Sequence, residues 1–138
     1  MQQFALDARL ANDTVEVGDL ALCRVLLMDD ARFPWLVLVP RIAGAIEIAE
    51  LPADTRHTLI DEIATASQAL RTVCPCDKLN VGALGNTVSQ LHVHVIARFR
   101  SDLAWPRPVW GIAPTARYAP ADMAGLLGSL RARLALQV

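Results

Sequence analysis

The segment Gln90-Leu91-His92-Val93-His94-Val95-Ile96 holds two of the chain's three histidines, two residues apart. Side chains of an extended strand alternate between faces, so Gln90, His92 and His94 are predicted to share one face. Leu91, Val93 and Val95 take the other, which can pack into a core. Burying the first face without partners costs roughly 1–3 kcal/mol per unsatisfied group. Either it lines a polar cleft, or each polar group has its own structural hydrogen bond. Two strand histidines at this spacing can also bind one zinc, with further ligands required. His57, Cys74 and Cys76 are the remaining candidates. Nothing in the sequence brings them to the pair, so no metal is assigned. Cys23, Cys74 and Cys76 have no electropositive neighbourhood of the kind that activates a thiol.

With every apolar position filled, this segment resembles the motif of the histidine-triad (HIT-like) family, His-φ-His-φ-His-φ-φ with φ apolar. His92 and His94 match the second and third histidines, and Gln90 stands where the first is expected. Gly85-Asn86-Thr87 is similar to the family's phosphate-contacting loop, with Asn80 upstream. The apolar strand ending Val39-Pro40-Arg41, the helix after it and the pair Trp105-Pro106 follow in the family's order. The resemblance spans about residues 4–110.

The resemblance implies a nucleotide-binding hydrolase or nucleotidyl transferase. Its substrates are nucleoside phosphate derivatives such as dinucleoside polyphosphates or phosphoramidates. His92 is the implied nucleophile, forming a covalent nucleotidyl-histidine that water or another acceptor resolves. Imidazole suits this step because it is largely neutral near pH 7. A backbone carbonyl of the strand is expected to hold its other nitrogen. His94, the Thr87 hydroxyl and the N–H groups of residues 85–88 are implied phosphate donors. Glycine at position 85 allows close backbone approach, and Asn80 braces the site. Asp29 or Asp30 is the implied acceptor for the ribose hydroxyls. Trp105 joins the nucleotide-binding set, and the arm carrying Trp105 and Trp110 reaches a partner subunit in a homodimer. No cofactor is implied. Gln90, placed with the catalytic set, keeps a donor and an acceptor but cannot titrate. That weakness leaves open a nucleotide-binding regulatory module with little turnover.

The elements that must position these groups read as an α+β pattern. Residues 14–17 and 20–27 read as strands. Residues 28–34 form a turn ending in proline, and residues 35–39 a near-continuous apolar strand. Residues 53–73 carry Leu59, Ile60, Ile63, Ser67, Leu70 and Val73 at helical spacing, with Arg56, Asp61, Glu62 and Arg71 elsewhere. Pro52 and Asp54 suit the helix start, and Cys74-Pro75 stops it. Residues 79–85 form a glycine-broken loop or short strand, and residues 91–99 a strand. The stretch 105–120, with prolines at 106, 108, 114 and 120, is extended. A second helix over residues 121–136 carries Leu126, Leu127, Leu130 and Leu134 on one side. Together with the resemblance this predicts a HIT-like antiparallel sheet of about five strands, covered on one side by two main helices.

Residues 1–138 are read as one domain, of a size that buries a core unaided. Apolar residues make up 54% and charged residues 20%. The formal net charge of -1, with no Lys/Arg block, argues against a nucleic-acid partner. A nucleotide needs only a few donors. An odd cysteine count, no signal-like start and no apolar run long enough for a bilayer predict a cytoplasmic protein with free thiols and no membrane partner.

Overall fold

The computed structural model describes residues 2–113 and 115–136. Pro114, predicted within the extended stretch, lies outside the described residues, as do Met1, Gln137 and Val138. Among the described residues, five strands make one antiparallel sheet of order β1-β2-β3-β5-β4. The strands are β1 (Thr14–Asp19), β2 (Cys23–Met28), β3 (Trp35–Pro40), β4 (Lys78–Gly82) and β5 (Val93–Arg98). Helix α1 (Ala8–Asp13) precedes the sheet, α2 (Ala53–Val73) crosses between β3 and β4, and α3 (Pro120–Leu134) is the last element among the described residues.

Strand alternation divides the core in two. Val25, Leu27, Leu36, Leu38, Val93, Val95 and Ala97 face α2 and α3, where they meet Leu59, Ala66, Leu70, Leu127 and Leu130. Leu26, Val37, Val39 and Ile96 face the other way, onto Leu10, Phe33, Ala104 and Val109. The two main helices therefore cover one face, as the sequence predicts. The opposite face is covered by α1 and the irregular segment after β5, and it carries the histidines.

Helix α2 has the predicted limits, but its stripe differs by two residues. Ile60 is exposed and Glu62 is buried. Positions 59, 62, 66 and 69 fall on one line at helical spacing, with Ile60 off it. The Glu62 carboxylate accepts from the backbone N–H groups of Leu22 (2.9 Å) and Cys23 (2.7 Å), satisfying the turn between β1 and β2. That turn occupies residues 20–22, so β2 begins later than predicted. β5 likewise begins at Val93 rather than at residue 91. The six-residue α1 has no counterpart in the sequence reading. Its one local cue is Asp7, whose carboxylate caps the Arg9 N–H at 2.8 Å.

Candidate functional site

His92 and His94 stand side by side at the head of β5, ring centroids 4.9 Å apart and edge to face. Both are buried. The Nδ1 of His92 lies 2.7 Å from the Gln90 carbonyl oxygen. A carbonyl can only accept, so this Nδ1 carries the proton and Nε2 of the neutral ring carries the lone pair. The Nδ1 of His94 lies 2.9 Å from the indole Nε1 of Trp35. Indole can only donate, so here Nδ1 is the acceptor and Nε2 bears the hydrogen. Two adjacent imidazoles therefore hold opposite tautomers, one offering a lone pair and the other an N–H. Burial, and then the neighbouring His92, push the His94 pKa down to about 4, so it stays neutral at pH 7.

Neither Nε2 has a partner within the chain among the described residues. Among the described residues, the one fully buried side-chain polar atom without a partner is Trp110 Nε1. Both imidazole Nε2 atoms therefore keep access to open space. That space is a cavity of about 300 Å³ whose wall includes His92, His94, Trp35, Trp110, Met28 and residues 84–88. It shares Asp13, Met28, Trp35 and Trp110 with a second cavity of about 290 Å³ that runs to Asp29 and Arg117. A third, of about 230 Å³, meets the first at Leu84, Gly85 and His92. Gly85 has φ +74°, which a side chain would strain. Among the described residues, the N–H groups of Asn86, Thr87 and Val88 find no acceptor in the chain. The loop is thus a set of free donors beside a ring with a free lone pair.

The model of the HIT domain family matches residues 9–101, two thirds of the chain, and this stretch contains the histidine pair and its loop. The chain belongs to the HIT family. A histidine triad protein from Bradyrhizobium japonicum is 44% identical, with a TM-score of 0.94 over 96% of this chain and 99% of its own. One from Marinobacter aquaeolei VT8 is 43% identical, with a TM-score of 0.94 over 97% and 98%. A protein from Sulfolobus tokodaii described as a hypothetical histidine triad nucleotide-binding protein shares the fold at 16% identity. Its TM-score is 0.67, over 88% of this chain and 84% of its own. No functionally curated protein matches.

The remaining predicted residues of this HIT domain divide between cavity and scaffold. Gly85 and Thr87 line the cavity with the histidines. The Gln90 amide does not join them. It donates to the Ala5 carbonyl (2.8 Å) and accepts from the Asp7 N–H (2.8 Å), clasping the segment before α1. The physical reason is that the segment before α1 presents a carbonyl and an N–H that one primary amide satisfies together. Asn80 does not reach the cavity either, because its Oδ1 accepts from Arg98 at 2.7 Å. That buried guanidinium also pairs with Asp102 (2.8 Å) and donates to the Arg107 carbonyl (2.7 Å). Trp105 lies against Arg98, with the guanidinium carbon 5.5 Å from its ring centroid. It therefore packs in the scaffold, and of the two tryptophans on this arm Trp110 lines the cavity, its ring centroid 5.4 Å from that of His94.

Of the two aspartates, Asp30 is buried with both oxygens on Arg32. Burial alone would raise its pKa, but the Arg32 hydrogen bonds outweigh this and hold it below the usual carboxylate range. Asp29 accepts from Arg117 (3.0 Å) and from the Tyr118 N–H (2.9 Å), pinning the segment before α3. Both aspartates line the second cavity. Among the described residues no group of three or more His, Cys, Asp or Glu side chains could hold a metal ion. No helix among them is long and apolar enough to cross a membrane.

Sequence reasoning missed Trp35, Trp110, Arg9 and Asp13 as cavity residues. Trp35 reads as one more apolar residue of β3, and only the pairing Trp35↔Ile96 and Val37↔His94 brings its indole to His94. Trp110 depends on Gly82, where an added Cβ would come within 3.2 Å of its ring. Gly82 pairs with His94 across β4 and β5, so the missing side chain makes room for the indole beside the imidazole.

Proposed function

We propose that this HIT protein binds nucleoside phosphate derivatives and hydrolyses or transfers them through a nucleotidyl-His92 intermediate. The observation that carries this reading is the pair of opposed tautomers beside a loop of free N–H donors. His92 Nε2 attacks the α-phosphorus with its lone pair. The bond from phosphorus to the leaving oxygen or nitrogen breaks, and its electron pair departs with the leaving group. The ring, now quaternised at Nε2, keeps its Nδ1–H on the Gln90 carbonyl, which stabilises the new positive charge. Water then attacks phosphorus, the P–N bond breaks, its electron pair returns to Nε2, and the water proton goes to solvent. An acceptor other than water gives transfer in place of hydrolysis.

The His94 Nε2–H, the Thr87 hydroxyl and the N–H groups of residues 86–88 are the donors for the non-bridging oxygens. The nucleoside occupies the cavity past Trp35 and Trp110. Asp29, less buried than Asp30, is the acceptor for its ribose hydroxyls. A homodimer is the expected assembly, checked by light scattering on the purified protein.

The test is incubation with labelled adenosine and guanosine phosphoramidates and dinucleoside polyphosphates, alongside His92→Asn. The wild type is expected to turn over and to show a nucleotidyl mass adduct on His92. The variant is expected to bind without either. Full turnover by His92→Asn would refute the assignment. The engagement of Gln90 away from the cavity favours a second reading, a binding module with little turnover. Binding by the wild type without adduct or product would select it.

A further inference from the structure

We propose that Arg9 supplies the positive charge for the substrate's phosphate, and that Gln90 positions it by clasping the segment that leads into α1. The inference rests on the nucleotide reading above and names a ligand which that reading lacks. The wall of the His92 cavity is mostly apolar, with Leu10, Trp35, Leu84 and Val88 among its residues. A phosphate entering such a space is costly unless its charge is matched. The imidazoles do not match it. His94 accepts from Trp35 and is neutral. His92 must be neutral to act as a nucleophile.

Arg9 is the one Lys or Arg side chain on this wall among the described residues. The neighbouring hollow at Glu47 and Gln90 has none. The second cavity has Arg117, already paired with Asp29 at 3.0 Å. The Arg9 guanidinium, in contrast, makes no ion pair or hydrogen bond with any described residue. Arg9 is exposed and lines a cavity that holds no other Lys or Arg among the described residues, so its fork of N–H donors is free for a ligand there. Guanidinium matches a phosphate with two parallel charge-assisted hydrogen bonds.

Arg9 is also held in place. Leu10, beside it, is buried in the second core. The Asp7 carboxylate caps the Arg9 N–H, and the Asp7 N–H is in turn held by Gln90 Oε1. The clasp requires a donor and an acceptor at once, because Ala5 presents a carbonyl and Asp7 an N–H. A primary amide offers both from one planar group. Glutamine at position 90 therefore positions the wall that carries the cation.

Calorimetry on the full chain tests this, with AMP, GMP, adenosine and guanosine titrated into wild type, Arg9→Gln and Arg9→Lys. The wild type is expected to bind each monophosphate more tightly than its nucleoside. Arg9→Gln is expected to lose at least tenfold of that preference while nucleoside affinity stays unchanged. Arg9→Lys should keep part of it, and added salt should erode the preference in wild type more than in Arg9→Gln. An undiminished preference in Arg9→Gln overturns the role of Arg9 while leaving the His92 reading standing. No preference in the wild type overturns both.

Discussion

Replacing Trp35 with phenylalanine removes a single hydrogen-bond donor from the site and keeps an aromatic ring in its place. Trp35 is buried and its indole N–H donates to His94 Nδ1 at 2.9 Å. Without it, the lone pair of a buried ring loses its partner, which costs about 1–3 kcal/mol. Losing part of the indole volume from the core adds about 1 kcal/mol. The sum, about 2–4 kcal/mol, corresponds to roughly 10 °C in Tm for a domain of this size. The chemical effect is more specific. The donor that forbids a hydrogen on Nδ1 is gone, so the Nε2–H form of His94 is no longer enforced. Long-range proton–nitrogen correlation spectra of the histidine rings read this directly. In the wild type at pH 7, His92 is expected as the Nδ1–H tautomer and His94 as the Nε2–H tautomer. In Trp35→Phe, His92 should be unchanged and His94 a mixture, with turnover falling as the donor to phosphate becomes intermittent. A variant within about 0.5 kcal/mol of wild type that keeps His94 wholly in its Nε2–H form would refute the reasoning, as would a wild type with both rings in one tautomer.

Acid should destabilise the protein in two steps. His94 titrates near 6.5 when unfolded and at about 4 in the fold, so the unfolded chain binds more protons between those values and stability falls with pH across them. The full drop from 6.5 to about 4 corresponds to about 3 kcal/mol, about 2 of it by pH 5, read as a shift in urea midpoint. The depressed carboxyls of Asp30 and Asp102 add their loss only below the ordinary carboxylate range. An unchanged midpoint between pH 7 and pH 5 would contradict the first step. Asn80→Ala should lower stability by about 1–3 kcal/mol, because the buried Arg98 loses an acceptor at 2.7 Å. Nucleotide affinity should stay within about twofold, and a large affinity loss at unchanged stability would return Asn80 to the site.

The sheet and α2 were legible because their signals are local. Alternation along residues 91–97 separates the two faces correctly, and Pro52 with Cys74-Pro75 brackets a helix whose observed limits are Ala53–Val73. What stayed hidden depends on pairing between distant segments. The Trp35–His94 contact spans 59 residues and the Gln90 clasp 83 and 85. Glu62 lies outside the apolar stripe that the sequence predicts, yet it sits in the buried one, where it satisfies two N–H groups of a distant turn. The resemblance implies that Asn80 braces the site and that Trp105 joins the nucleotide-binding set. In space both serve Arg98, whose buried charge outcompetes the cavity for their polar and aromatic groups.

The replacement of a titratable ring by glutamine at the head of the motif bears differently on the two roles that residue 90 fills. The His92 tautomer is set by the main-chain oxygen of Gln90, not by its side chain. Any residue at position 90 offers that oxygen, so orientation of His92 does not require a histidine there. The second ring takes its opposite tautomer from Trp35, on a different strand. Two static partners, one able only to accept and the other only to donate, thus assign the lone pair and the N–H before any ligand arrives. The Gln90 side chain is free of that duty and holds the segment before α1, which supplies Arg9 and Asp13 to the cavity wall. The departure from the triad therefore removes a titratable group from beside His92, the proposed nucleophile, without touching the hydrogen bonds that fix the two ring tautomers.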